Sequence, residues 1–231
     1  MQQFNKALVR TLITLRFTRA AQLQRKMTME DYESAIVDLK EFNNIVDRIL
    51  GVYLDSNLGF ALGKKHIENA QRAVVSQNQH DPDLSSFEYL DNSEMIHGEG
   101  DPNNPDSEIL HRTTQREFKE RNTENGINFK FNANMCLIAL YQYWEDHYRS
   151  SIATHLGIEK NKLISPILGD IRHIRRSIIH RQSRCVQDVE KCVYINWFKE
   201  NDEVAFTKEQ FMHILTLVKK YINSLIDEYS K

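Results

Sequence analysis

Helix breakers are scarce in this chain of 231 residues, with 8 glycines and 4 prolines, and both are rare inside its apolar-periodic stretches. That scarcity argues against a fold of many tight turns and for a mostly helical protein. Neither a glycine-rich phosphate loop nor a nucleophile elbow is found, which sets aside the common nucleotide-loop enzymes and serine hydrolases. Cysteine is limited to Cys136, Cys185 and Cys192, an odd set without CxxC spacing. The expectation is free thiols in a reducing cytoplasmic setting. Joining Cys185 and Cys192 with His173 and His180 does not give zinc-site spacing, so no metal and no cofactor is expected. Long apolar runs are also missing: Lys6 to Phe17 is interrupted by Arg10 and Arg16, and no membrane partner is expected.

The net charge is only -2, but it is unevenly placed. Residues 1–27 hold no Asp or Glu and carry Lys6, Arg10, Arg16, Arg19, Arg25 and Lys26. That basic start has the charge of a transit peptide but lacks serine and runs on into further helix, so it is read as part of the fold. Asp81 to Glu108 reverses the sign, with nine acids and no Lys or Arg. Within it, Asp101 to Asp106 fails the calcium-loop spacing, because Pro105 takes a ligand position and no glycine follows. A third block, Arg172 to Arg184, is basic again through Arg172, Arg175, Arg176, Arg181 and Arg184.

Periodicity divides the chain into N-terminal helices over 1–76, an acidic polar insert over 77–128 and a helical core over 129–231. One helix is predicted from Asn5 to Met27, and Thr28 caps a second whose apolar set runs from Ile36 to Tyr53. A third follows a break at Gly59 and spans Phe60 to Ser76. The insert is turn-rich around His97 to Asp106, with a short charged helix between Ile109 and Asn122. Asn132 or Asn134 caps the next helix, which reaches about His155 and stops at Gly157. Ser165-Pro166 opens another. Cys192 to Phe198 and Val204 to Phe206 suggest a small β-hairpin, and Thr207 caps a last amphipathic helix. The fold class read from this pattern is all-α, an antiparallel helical bundle with extra N-terminal helices, a polar insert and a hairpin before the last helix.

Within the helix opened by Ser165, Ile164, Ile167, Leu168, Ile171, Ile174 and Ile178 form one apolar stripe, and Arg175 falls inside it. A guanidinium cannot shed its proton, so on a packed face it needs a carboxylate, carbonyls, a wet cleft or a bound phosphate. His180, the side chain suited to proton transfer near neutral pH, comes five residues later. Arg149 and His155 repeat the arrangement with one residue more between them.

An arginine, four to six intervening residues and a histidine late in a bundle helix resembles the HEPN superfamily. Here Arg175 to His180 encloses four residues, and the segment Tyr141 to Arg184, with Tyr143-Trp144-Glu145-Asp146 on the preceding helix, is similar to bacterial members. The resemblance covers about the last hundred residues. It implies a four-helix HEPN-like core, a two-fold homodimer with facing motifs, and a metal-independent endoribonuclease of the toxin or antiviral-defence type. RNA and an antitoxin or defence-system protein would be its partners. Carried to matching positions, His180 would be general acid or base and Arg175 would hold the scissile phosphate. Arg172, Arg176, Arg181 and Arg184 would contact RNA phosphates. Where many members have Asn, Asp or His after the motif arginine, this chain has Arg176. A non-catalytic member, using the bundle for dimerisation and for RNA or protein binding, is the alternative. On an ideal helix, residues five apart point about 140° apart, so convergence requires a bend or a second subunit. A purely structural Arg175 would pair with Glu145 or Asp146.

Overall fold

The computed structural model of the chain describes residues 28–101, 104 and 106–230. The helix expected over Asn5 to Met27 lies outside the described residues. Within them the chain is mostly α-helical with a single small sheet. The helices are α1 (Met29–Gln77), α2 (Phe87–Asn92), α3 (Gln115–Arg121), α4 (Ile127–Tyr143), α5 (Arg149–His155), α6 (Pro166–His180) and α7 (Lys208–Tyr229). Strands β1 (Glu94–Glu99) and β2 (Glu108–Thr114) pair antiparallel.

The chemistry of the helix ends fixes where most helices start. Thr28 Oγ1 accepts the Asp31 N–H at 3.2 Å, while the Asp31 carboxylate accepts the Thr28 N–H at 2.9 Å. Thr207 and Gln210 make the same reciprocal pair before α7, at 3.2 and 2.9 Å. Gly157, at φ 59, ends α5 in the left-handed region that glycine reaches without strain.

Four expectations about the elements change. α1 does not break at Gly59 but runs unbroken to Gln77. An interior glycine weakens a helix by only about 1 kcal/mol, less than the burial of a side chain such as Tyr53 elsewhere on α1 returns. Gly63 has a packing reason to be small, since a Cβ there would lie 3.3 Å from the Phe118 ring. Helix α4 starts at Ile127, ahead of the proposed Asn132 and Asn134 caps. Asn132 sits inside the helix and donates to the Tyr53 carbonyl at 3.2 Å and to Asn57 Oδ1 at 2.9 Å.

The hairpin is also misplaced by the sequence. Strand pairing occurs inside the acidic insert, not before the last helix, where the described residues form only an isolated Arg184–Glu203 bridge. The N–H groups of residues 193–195 are taken by the Asp170 carboxylate, so that segment has none to offer a strand ladder. In the insert, β2 replaces the first part of the charged helix expected from Ile109, of which only α3 is helical. Gly98 lets the strands close, because a Cβ there would meet the Glu108 carbonyl oxygen at 2.7 Å.

The chain forms two compact units, one of Met1–Arg48, Ile138–Val204 and Met212–Lys231, the other of Ile49–Leu137 and Ala205–Phe211. In the first, Phe42 packs on Trp144 and Tyr148 with ring centroids 5.3 and 5.2 Å apart, beside buried Leu39, Ile152, Ile171, Ile174 and Ile222. In the second, the tilted ring pairs Tyr53–Phe211 and Phe60–Phe129 pack with centroids 4.1 and 5.7 Å apart. Buried Gln71 there gathers Asp91, Gln115 and Lys119 by hydrogen bonds. No helix among the described residues is long and apolar enough to cross a membrane.

Candidate active site

Helix α6 begins at Ser165, whose hydroxyl accepts the Leu168 N–H at 3.3 Å, with Pro166 in the first turn. Ile167, Leu168, Ile171, Ile174 and Ile178 are buried as the stripe requires. Ile164 is not part of it: it precedes the cap and is 73% exposed. The helix stays regular to His180, where the Ser183 N–H reaches back to the Ile178 carbonyl at 3.2 Å and Gln182 and Ser183 turn left-handed.

Two polar side chains on α6 anchor the segment that follows it. Asp170, 3% exposed, accepts the N–H groups of Val193, Tyr194 and Ile195 at 3.0, 2.6 and 2.9 Å. Ser177, fully buried between the motif residues, accepts the Val186 N–H at 3.1 Å. Sequence reasoning missed both. A lone Asp among isoleucines was the available signal, since a buried carboxylate must find donors.

Arg175 is half-buried, and its partners are neutral. Its Nη2 donates to Gln142 Oε1 at 3.0 Å, its guanidinium carbon lies 5.6 Å from the centre of the Tyr141 ring, and its buried Nε has no hydrogen-bond partner. Neither acid of the structural reading pairs with it. Glu145 is bound by Arg149 and Lys160, both at 2.9 Å, and Asp146 accepts from the Gln142 amide. Burial alone would raise the Glu145 carboxyl, but hydrogen bonds from Lys160 and Arg149 outweigh it and hold the group below its ordinary value. Gln142 and Tyr141 end α4 just before a π-turn, Trp144–Tyr148, a local widening common at functional sites. Tyr141, Trp144 and Tyr148 are buried and Tyr143 is exposed, so this aromatic group is mainly core.

His180 is exposed at the end of α6, and the regular helix directs it about 140° away from Arg175. The two motif residues are not brought together on one helix. The alternative pair is engaged elsewhere: Arg149 with Glu145 and the Leu163 carbonyl, His155 with Asp38 at 3.5 Å.

The remaining arginines differ in their freedom. Arg176 pairs with Asp188 at 2.5 Å, and Lys191 shares that acid. Arg181 and Arg184 are exposed past the helix end. Arg172 is exposed and, with Arg149, lines both a cavity of about 120 Å³ beside Tyr141 and Trp144 and an open depression holding Lys160. Arg172, Arg176 and His180 thus share the exposed side of α6.

The cysteines are free and buried, and burial pushes the Cys136 and Cys185 thiols up to about 11 and Cys192 to about 12. Among the described residues no group of His, Cys, Asp and Glu gathers as a metal site. No family model, curated protein or solved structure matches the chain.

Proposed function

We propose that the protein is a HEPN-type metal-independent endoribonuclease acting as a homodimer, with Arg175 and His180 as its catalytic residues. The observation that carries this reading is the state of Arg175: a half-buried guanidinium with neutral partners and an unsatisfied Nε, while both nearby acids are engaged elsewhere. A phosphate is the ligand that this cation lacks.

In the reaction, the ribose 2'-hydroxyl oxygen bonds to phosphorus as the bond to the 5'-oxygen breaks, leaving a cyclic 2',3'-phosphate and a 5'-hydroxyl. His180 takes the 2'-hydroxyl proton or supplies the proton to the leaving oxygen. Arg175 offsets charge on the equatorial phosphate oxygens. Arg172, Arg181 and Arg184 hold flanking phosphates, and Arg176 joins them only by giving up Asp188. Because the two motif side chains diverge along α6, each site combines Arg175 of one copy with His180 of the other. The family resemblance supports a toxin or antiviral-defence setting, with an antitoxin or defence-system protein as partner.

The test is incubation with total RNA and single-stranded oligonucleotides in excess chelator. Wild type should cleave, and His180→Ala and Arg175→Ala should each lose at least about 100-fold in rate, the scale of one acid–base or electrostatic group. Retained cleavage in either variant removes it from the mechanism. A folded dimer without cleavage by any form makes this a non-catalytic binding module.

A further inference from the structure

We infer a second ligand site, independent of the ribonuclease reading, in the unit of Ile49–Leu137 and Ala205–Phe211: a groove for a small single-headed amphipathic anion. The groove has a volume of about 540 Å³, within the range of small-molecule sites. One face of α1 forms its length. Leu54, Leu58, Ala61, Lys65 and Arg72 project within about 60° of one another around the helix.

Its chemistry is segregated along that face. Leu54, Leu58 and Ala61, with Tyr53, Phe129 and Phe206, give one end its apolar surface, with Asn57 and Glu124 beside Tyr53. Leu54 and Leu58 are 37% and 59% exposed, so their side chains are open to a ligand in the groove. Toward Arg72 the lining turns cationic. Lys64 pairs with Glu68 at 3.3 Å, and Lys208 is matched in number by Glu124, so the surplus charge rests on Lys65 and Arg72. Among the described residues neither of these two has an acid within ion-pair distance, and Arg72 bonds only the Asn69 amide.

An apolar body with a single anionic head, carboxylate or phosphate, fits this order. The distance from Leu54 to Lys65 is about 16 Å along the helix, the reach of a medium alkyl chain. A nucleic-acid strand fits less well, because Tyr53 and Phe206 are buried and the part-exposed Phe129 ring is packed against Phe60, leaving no row of open rings for successive bases.

The full chain is titrated with an anilinonaphthalene sulfonate dye, which is then displaced by dodecanoate, dodecyl phosphate or dodecyltrimethylammonium, all below their micelle concentrations. Displacement by the anions and not by the cation is expected, and the stronger of the two anions identifies the head group. Lys65→Glu with Arg72→Glu should weaken anion binding at least tenfold. Leu58→Glu, at an exposed position, should do the same, with far-ultraviolet circular dichroism confirming the fold of each variant. Arg175→Ala should leave binding unchanged, which separates this site from the ribonuclease. Equal displacement by cation and anion, or unaltered affinity in the folded Lys65 and Arg72 variant, overturns the proposal.

Discussion

Arg175 tests at residue scale whether charge on a packed face serves stability or function. Removing one partner of a buried ion pair costs about 3–5 kcal/mol, whereas a buried charge without an acid is itself a burden on the fold. With Gln142 and Tyr141 as its neutral partners, Arg175→Met should leave unfolding free energy within about 1 kcal/mol of wild type or raise it. A loss of several kcal/mol in urea unfolding would make Arg175 a structural residue. His173 gives a pH prediction. Burial holds its imidazole below the ordinary 6.5, with Asp188 opposing, and its Nδ1 is buried without a partner. The unfolded chain therefore takes up the proton first. This contribution to stability is full above about pH 6.5 and is lost progressively as the pH falls through that value toward the folded one. His173→Gln should flatten the decline measured between about pH 7.5 and about pH 5.5; an unchanged slope would show that His173 is not its source. The sequence made Arg175 conspicuous because a cation in an isoleucine stripe breaks the local pattern. It did not reveal Gln142 as the partner, since nothing in the periodicity distinguishes a surface glutamine from one placed under a guanidinium.

At the scale of elements, α6 depends on what docks to it as well as on its own stripe. Asp170 accepts three backbone N–H groups from the segment after α6, and each such bond to a charged acceptor contributes about 1.5–3 kcal/mol. Asp170→Ala should destabilise the protein by at least about 3 kcal/mol in denaturant unfolding. A change below about 1 kcal/mol would show that the clasp is incidental. Helix starts were legible at Thr28, Ser165 and Thr207, where a side chain caps its own helix, but the caps of α2 at Ser86 and of α3 at Thr114 went unread inside the polar insert. Gly59 misled because a single glycine weakens a helix less than packing supports it. The β1–β2 hairpin escaped notice because its strands are almost wholly exposed and carry no alternating buried face. The segment at 192–198 looked like a strand by composition, yet a carboxylate distant in sequence captured its N–H groups.

At the scale of the whole molecule, the proposed ribonuclease turns on how many copies make one site. Arg175 and His180 leave one regular helix in different directions, so a ribonuclease site that uses both must draw on two chains. Two inactive variants should then repair each other. In a mixed dimer of Arg175→Ala and His180→Ala chains, one site lacks both residues and the other keeps both. Random pairing places roughly a quarter of the sites of a wild-type population in the intact form. The most direct measurement is therefore the rate of oligonucleotide cleavage in chelator by wild type, by each variant, and by an equal mixture unfolded and refolded together. A shared site gives cleavage by wild type, none by either variant alone, and recovery to roughly a quarter of the wild-type rate in the mixture. A mixture as inactive as its components, beside an active wild type, would contradict a site shared between two copies.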